Sequence, residues 1–402
     1  MLIWLLISLM LTVAYVGIMW TYKNEWEEIK ETHDLREECT TRVSVIVPAR
    51  NEEKYIGNIL KDLLDQIYPA SLVEIIVIDD FSEDNTFSIA ASYSKANTTI
   101  KVLQLKDSLD KNTITEAYKK RAIEYGIAQA NGTLIITTDA DCRLQKHWLH
   151  SIVSFYEKEK CALIASPVGF YNDHSKFQHF QSLDFCGMQA ITGASLNMKI
   201  FNMANGANLA FEKKAFDEVG GYKNIDKNAS GDDMLLVYKI AQKFPDKIRF
   251  LKNKAAIVLT HPAENVQDFL QQRFRWTSKA GHYQDKRISF ILLLVYLFVW
   301  SIWLNFFFVF GKIAYYRIFP NPTISALFEF LNVFLIFIIL FIQILCKSLI
   351  DYTFLKSATN FFNRHDLMQS FAYSQLLHIW YIPFVGTLGL VFPYRWKGRK
   401  LK

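Results

Sequence analysis

The chain has 402 residues, enough for one large domain or two smaller ones, and is 51% hydrophobic and 15% aromatic, with 32 phenylalanines. That is rich for a soluble enzyme, and the excess cations behind the net charge of +6 lie in the C-terminal third. Five cysteines, at 39, 142, 161, 186 and 346, show no paired spacing and no Cys-x-x-Cys, which argues against a disulfide framework or a zinc site.

Residues 2–20 carry no charge and are long enough to span a bilayer core as a helix. No basic segment precedes them and no small-x-small cleavage site follows, so residues 1–22 read as an uncleaved anchor and 23–41 as a mixed-charge linker. Arg42 to Val47 reads as a strand stopped by Pro48. Asn51-Glu52-Glu53 then opens a helix running to about Ile67, with Asn51 as a plausible N-cap and acids in its first turn. Glu74 to Asp80 is a second buried strand, ending in two acids, and residues 82–86 cap the next helix. Ile100–Leu105 is a third strand, and Thr115–Asn131 a helix that leads into the apolar run from Gly132. This alternation predicts an α/β fold with a mostly parallel sheet and flanking helices. There is no Gly-x-Gly-x-x-Gly after the first strand and no P-loop, which argues against dinucleotide oxidoreductases and P-loop NTPases.

The run from Gly132 ends in Thr137-Thr138-Asp139-Ala140-Asp141. Two carboxylates two residues apart leave the strand end together, where the crevice of an open α/β sheet lies. They are either solvated loop acids or a pair suited to a hard divalent cation, which uses one or two protein carboxylates plus substrate phosphates. Residues 161–260 are less regular: Cys161–Pro167 is a strand, Asn205-Gly-Ala-Asn a turn into another, and Ser230-Gly-Asp232-Asp233 a helix start.

Residues 263–287 are basic, aromatic and partly amphipathic, with Arg273, Arg275, Lys279, Lys286 and Arg287 on one side and Val266, Phe269, Leu270 and Phe274 on the other. The stretch is either a surface helix or, from its place before a membrane span, an interfacial helix with its cations toward anionic head groups. Residues 288–310 and 324–345 are strong spans; 370–392 is weaker, a kinked span or a re-entrant hairpin; residues 394–402 form a basic tail. The cations before Ile288 place residues 42–262 on the cytoplasmic side, and three full C-terminal crossings would then leave the basic tail outside. A last segment that does not fully cross removes that conflict.

Five pieces, taken together, resemble the inverting glycosyltransferases of family 2, which have the GT-A fold. They are residues 45–53 (Val-Ile-Val-Pro-Ala-Arg-Asn-Glu-Glu), 77–86 (Val-Ile-Asp-Asp-Phe-Ser-Glu-Asp-Asn-Thr), 138–141 (Thr-Asp-Ala-Asp), 231–233 (Gly-Asp-Asp) and 272–276 (Gln-Arg-Phe-Arg-Trp). Each piece is weak alone, but their order and spacing are the family's over residues 42–280. The nearest subgroup looks like the membrane-anchored ceramide-glucosyltransferase-like and polysaccharide-synthase-like members.

The resemblance implies a catalytic domain over residues 42–262 and a divalent cation, Mg²⁺ or Mn²⁺, on the donor's diphosphate. Asp141 resembles the metal-contacting carboxylate, and Asp139 reaches the ribose or the metal. Asp79 and Asp80 resemble the acids that bind uracil and ribose. Pro48, Ala49 and Glu52 match the loop that cups the nucleotide, and Lys119 a weaker donor-site position; Lys119 and Lys120 read equally well as a solvated helix face. Asp233 matches the base that deprotonates the acceptor hydroxyl, with Asp232 its neighbour. Asn205, Gly206 and Asn208 look like the acceptor-side loop. Gln272, Arg275 and Trp276 match Gln-x-x-Arg-Trp, with Trp276 near the acceptor and Arg275 facing the diphosphate.

The expected partners are a nucleotide-sugar donor, a UDP-sugar foremost, a lipid or lipid-linked glycan acceptor, and the membrane; no nucleic acid is expected. The expected location is a bacterial plasma membrane. The alternatives are a processive polysaccharide synthase, disfavoured by the small number of C-terminal spans, and a non-catalytic membrane scaffold, disfavoured by the intact carboxylates.

Overall fold

A computed structural model describes residues 1–33, 38–108, 117–171, 173–201, 203–225, 231–278, 283, 285–319, 324–389, 391–396 and 399–401. Its centre is a sheet of β1 (Val43–Ala49), β2 (Val73–Asp79), β3 (Ile100–Gln104), β4 (Leu134–Thr137), β5 (Leu163–Ala165), β7 (Leu209–Glu212) and β8 (Ile248–Phe250). The spatial order is β3-β2-β1-β4-β7-β5-β8. The four strands from β3 to β4 run parallel, and β7 is antiparallel to both its neighbours. A separate pair, β6 (Val168–Phe170) and β9 (Val258–Thr260), runs parallel. Of the strand expected over 161–167 only Leu163–Ala165 forms, and Ser166-Pro167 separates it from β6.

The inner strands are apolar on both faces because helices cover both faces. Val45, Val47, Ile75, Val77 and Ile136 pack on one side; Ile46, Ile76, Ile78 and Ile135 pack on the other. The second core is continuous with the long apolar helices: it also holds Tyr15 and Trp26, Phe298, Phe354 and Phe361.

The helices that matter here are α1 (Leu2–Glu28), α2 (Ile56–Leu64), α3 (Thr86–Ala96), α4 (Tyr118–Ala128), α5 (Trp148–Glu159), α6 (Lys176–Asn197), α7 (Lys213–Glu218), α8 (Asp232–Lys243), α9 (Val266–Thr277), α10 (Lys286–Ile318), α11 (Ile324–Phe361) and α12 (Phe371–Leu388). Several differ from the sequence expectation. Helix α2 starts at Ile56, and Asn51 is no N-cap: it sits at φ 52° in the loop before the helix. Helix α4 is shorter than 115–131, and residues 115 and 116 lie outside the described residues. Helix α1 continues past residue 22 into the expected linker. Its end is tied to the segment after β8 by Lys252, whose ammonium donates to the Trp26 carbonyl at 2.7 Å and lies 4.0 Å from the Trp26 ring.

Helix α6 has no counterpart in the sequence reading. It is buried along both sides, with Phe180, Leu183, Phe185, Cys186, Ala190 and Ala194 all enclosed. A helix buried all round shows no single apolar stripe. Its start does carry a sequence signature, a capping box in which Ser175 Oγ accepts from Gln178 N at 3.1 Å and Gln178 Oε1 accepts from Ser175 N at 3.1 Å.

Among the described residues three helices are long and apolar enough to cross a membrane: Leu2–Glu28, Lys286–Ile318 and Phe330–Phe361. The spans expected over 288–310 and 324–345 both extend further as helix. Helix α12 is not among the three; Pro383 lies inside it and it packs on α6 and α9 through Tyr381 and Phe384. The tail forms a small hairpin, β10 (Tyr394–Trp396) with β11 (Arg399–Leu401).

Candidate active site

After β1 the chain steps outward to β2 and β3, then returns to the other side of β1 for β4. The strand order therefore reverses at β1, and the crevice of such a sheet opens at the carboxyl ends of the strands flanking the reversal. Ala49 lies level with Asp79, whereas β4 pairs only as far as Thr137 opposite Ile46. Thr138-Asp139-Ala140-Asp141 thus leaves the sheet early and turns into the crevice. Pro48, Ala49, Asp79, Asp80, Asp139 and Asp141 are brought to one sheet edge.

Two loops close one side. Asn51 (φ 52°) and Phe81 (φ 55°) both hold left-handed backbone, a strain that clusters at functional sites. Side chains lace the loops together. Asn51 Oδ1 accepts from Glu83 N at 2.9 Å, Glu52 N donates to Thr86 Oγ1 at 2.7 Å, and Arg50 Nη1 donates to the Asp80 and Phe81 carbonyls at 2.9 and 2.8 Å. Arg50 is a site residue the sequence reading passed over, although it sits inside the 45–53 motif.

Within this cradle Glu52, Asp79 and Asp80 are all buried. Asp79 Oδ1 has no hydrogen-bond partner among the described residues. A buried polar atom without a partner is rare in native proteins, and a polar ligand edge at this end of β2 would satisfy it.

On the β4 side, Lys119 Nζ donates to Asp139 Oδ1 at 2.7 Å, and both side chains remain partly exposed. Lys120 is buried and donates to the Ile225 carbonyl at 2.8 Å. Neither lysine lies on a solvated helix face. The pair ties α4 to the Asp-x-Asp turn and to the segment leading toward Asp233. Burial, then the Asp141 and Asp139 charges, push the Cys142 thiol well above its ordinary value, so both carboxylates crowd this turn. Tyr171 and His261, joined at 2.8 Å, sit beside it, and the Asp141 charge helps raise the Tyr171 phenol after burial. The only sequence signal for them was Thr-His-Pro after an apolar run. Among the described residues no cluster of three or more His, Cys, Asp or Glu could enclose a metal. Two hard carboxylates, both partly exposed, fit an ion that is shared with substrate phosphates.

Asp233 enters from α8. Gly231, at φ +84°, turns the chain into the helix; only glycine takes that conformation at little cost. Asp233 Oδ1 accepts from Met234 N at 2.7 Å, and Oδ2 is reached by Gly206 N at 3.4 Å. Gly206 in turn gives its carbonyl to Thr137 Oγ1 at 2.7 Å. The Asp233 carboxylate is thus linked to the end of the Asp-x-Asp strand through Gly206, by one short and one long contact. The side chain of Asp232, and Ser230 entirely, lie outside the described residues.

The loop expected on the acceptor side divides. Asn205 Oδ1 accepts from Ala207 N at 3.0 Å and shapes the turn. Asn208 does not reach the crevice. Its amide accepts from Trp148 Nε1 at 3.0 Å and donates to the Pro167 and Ala256 carbonyls at 2.8 Å each, a fully internal bracket.

The amphipathic helix also differs from expectation. It spans 266–277, not 263–287, and Lys279 lies outside the described residues. Arg273 does not face a head-group surface. It is buried, ion-paired with Asp184 of α6 at 2.8 Å and stacked 4.3 Å from Trp276, while Val266 is exposed. Trp276 also stacks on Phe185, with ring centres 6.2 Å apart. Arg275 is half-buried on the same helix, and Gln272 Oε1 is buried without a hydrogen-bond partner among the described residues.

Residues 44–220 match the model of glycosyl transferase family 2, and residues 134–350, more than half of the chain, match glycosyl transferase family group 2. The chain belongs to glycosyltransferase family 2. It is 28% identical over 294 residues to the probable glycosyltransferase YdaM of Bacillus subtilis, covering 69% of this chain and 66% of that protein. It is 28% identical over 235 residues to the glycosyltransferase AglE of Haloferax volcanii, covering 58% and 71%. The mannosyltransferase PcManGT of Pyrobaculum calidifontis, solved with GDP-mannose and Mn²⁺, superposes with a TM-score of 0.55 at 17% identity, over 93% of this chain and 99% of that one. That likeness fixes the fold: this glycosyltransferase has a GT-A domain with long apolar helices appended.

Proposed function

We propose that this glycosyltransferase moves one sugar from a nucleoside-diphosphate sugar, a UDP-sugar foremost, to a hydroxyl of a lipid or lipid-linked acceptor, with inversion at the anomeric carbon. The observation that carries this reading is the link from Thr137 through Gly206 to Asp233, which sets a carboxylate beside the donor carboxylates.

The nucleoside sits over Pro48 and Ala49, with Glu52, Asp79 and Asp80 taking its polar edges; the partnerless Asp79 Oδ1 supports this. Asp139 and Asp141 hold a divalent cation, Mg²⁺ or Mn²⁺, which when bound offsets the charge that develops on the leaving diphosphate. Lys119 stands ready to exchange its Asp139 partner for phosphate oxygen, and Arg275 adds a second cation on the acceptor side. Asp233 accepts the proton of the acceptor hydroxyl while that oxygen bonds to the anomeric carbon. The bond from that carbon to the diphosphate breaks in the same step, and its electron pair leaves with the nucleoside diphosphate. Asp232 is the neighbouring acid of the motif. Asn205 and Gly206 shape the acceptor side with Gln272 and Trp276, and Asn208 braces that loop from within.

The enzyme is an integral membrane protein of a bacterial plasma membrane in this reading. Helices α1, α10 and α11 cross, and α12 stays with the catalytic domain. Three crossings put residues 42–262 and the basic tail on the same, cytoplasmic side, in keeping with the positive-inside rule.

Membranes containing the chain are incubated with labelled UDP- and GDP-sugars, and the lipid-extractable product is analysed by NMR. An α-linked donor is expected to give a β-linked product that partitions with lipid. Retention of configuration, or label confined to long polymer, refutes the proposal.

A further inference from the structure

A cavity of about 710 Å³ lies between α1, α6, α9, α10, α11 and α12, a volume within the range of small-molecule sites. Its walls are mainly apolar and include Ile18, Met19, Ile291, Val295, Phe354 and Leu355. At its rim Leu292, Leu293 and Val391 are also exposed on the outer surface, so the cavity opens toward the bilayer. Its inner end reaches Trp276 and Tyr283. Burial, then the Asp233 charge, push the Tyr283 phenol up to about 12, so this end of the cavity feels the charge of the proposed base.

We propose that this cavity admits the acceptor from the membrane and that the acceptor is a neutral, hydroxyl-bearing lipid rather than a lipid phosphate. The proposal rests on the transferase reading above and narrows its acceptor.

Charge carries the distinction. Among the described residues the ionised groups lining the cavity are Asp184, Arg273 and Asp351. Arg273 is held by Asp184 at 2.8 Å and covered by the Phe269 and Trp276 rings at 4.7 and 4.3 Å. Asp351 accepts from Tyr15 Oη at 2.7 Å and is paired at 2.5 Å with Lys347, which is wholly buried behind it. Lys347 also donates to Gln375 Oε1 at 2.7 Å. Each of these cations is therefore already paired with a carboxylate. A phosphate in this apolar space would meet two carboxylates and break one of these buried pairs, which is costly. A hydroxyl needs only a donor and an acceptor. Ser374 Oγ lines the cavity, is buried, and has no hydrogen-bond partner among the described residues, and Gln375 and His378 stand beside it. The Gln375 amide already bonds Lys347 and Asp351, and His378 Nδ1 lies 3.3 Å from Lys347, so Ser374 Oγ is the group that holds an ester or hydroxyl.

The purified full chain in nanodiscs is given labelled UDP-glucose, UDP-N-acetylglucosamine, UDP-galactose or GDP-mannose. The acceptor is either 1,2-dioleoylglycerol or undecaprenyl phosphate, and both nucleoside-diphosphate release and lipid product are measured. Transfer to dioleoylglycerol is expected to exceed transfer to undecaprenyl phosphate by more than about tenfold, since a like-charge contact in the cavity costs several kcal/mol. Equal or preferred transfer to undecaprenyl phosphate overturns the neutral-lipid assignment. So does nucleoside-diphosphate release without transfer to dioleoylglycerol, and in both cases the transferase reading stands. No release from any donor refutes the transferase reading itself. As a second measurement, Ile291→Trp fills the cavity and is expected to raise the KM for dioleoylglycerol several-fold with a smaller change in kcat. An unchanged KM in a variant that elutes as the parent does on size exclusion also overturns the assignment.

Discussion

The Arg273–Asp184 pair joins the helix carrying the Gln-x-x-Arg-Trp motif to the buried helix α6, and Asp184→Asn tests what it contributes. The two side chains are 4% and 9% exposed and 2.8 Å apart. Asparagine keeps the shape and an oxygen that can still accept from Tyr381 Oη, now at 3.0 Å from the carboxylate. It removes the counter-charge and leaves a guanidinium enclosed by Phe269, Trp276 and Met188. Breaking a buried pair by neutralising one partner costs roughly 3–5 kcal/mol. The retained hydrogen bonding puts the expected loss near the lower bound. At about 2–4 °C per kcal/mol for a domain of this size, the apparent melting temperature should fall by roughly 6–12 °C. Tryptophan fluorescence of the detergent-solubilised chain, at one fixed heating rate, measures it. The double variant Asp184→Leu with Arg273→Met removes both charges and should recover most of the loss. An unchanged melting temperature in Asp184→Asn, or a double variant no better than the single one, refutes the argument that this charge is uncompensated once its partner is gone.

Asp141→Asn should abolish transfer while the chain still inserts and elutes normally, and the parent should need Mg²⁺ or Mn²⁺; full activity in EDTA contradicts both. Gly231→Ala forces a Cβ into left-handed backbone at φ +84°, which costs about 1–2 kcal/mol. It should lower kcat by re-aiming Asp233 while leaving donor affinity intact, and a variant with the parent's kcat argues against the turn positioning the base. Lys95→Cys, on the exposed face of α3, should resist an impermeant thiol reagent in intact cells, whereas Phe319→Cys, between α10 and α11, should label. The opposite pattern reverses the proposed orientation.

The strands that form the site were legible in the sequence because each is a short β-branched run closed by Pro, Asp-Asp or Asp-x-Asp. Parallel inner strands are buried on both faces, so a continuous apolar run is their signature. The carboxylates inherit that clarity, since each sits at the last strand position or just beyond it. Helix α6 was illegible for the converse reason: with glycine, alanine and aromatic residues buried on several sides it offers no stripe, and only Ser175…Gln178 marked its start. The misplaced N-cap at Asn51 came from reading local propensity where loop-to-loop bonding to Glu83 decides the conformation. Arg273 looked like a head-group cation because its partner, Asp184, is 89 positions away and unseen by any local pattern. Asn208 looked like an acceptor contact for the same reason, its partners Trp148, Pro167 and Ala256 being scattered along the chain. The weak third C-terminal segment kept two readings open; it forms a helix that packs on α6 and α9 and also on α10, through Trp380 against Trp303.

The role given to Asp233 is tested most directly by replacing it with asparagine and measuring turnover and nucleotide binding on the same preparation. Asparagine keeps the size and one oxygen that can still accept from Met234 N, while the longer contact from Gly206 N is lost to the amide nitrogen, and it takes up the acceptor proton poorly. A positioned base contributes on the order of 10²–10⁴ in rate, and removing it weakens the transition state rather than the donor complex. Turnover of Asp233→Asn should therefore fall by that factor while UDP affinity by calorimetry stays that of the parent, and Asp232→Asn should lose less. Transfer at the parent rate by Asp233→Asn would contradict the account: with Asp232→Asn inactive the base would be the neighbouring acid, and with both fully active the pair would serve only to start α8.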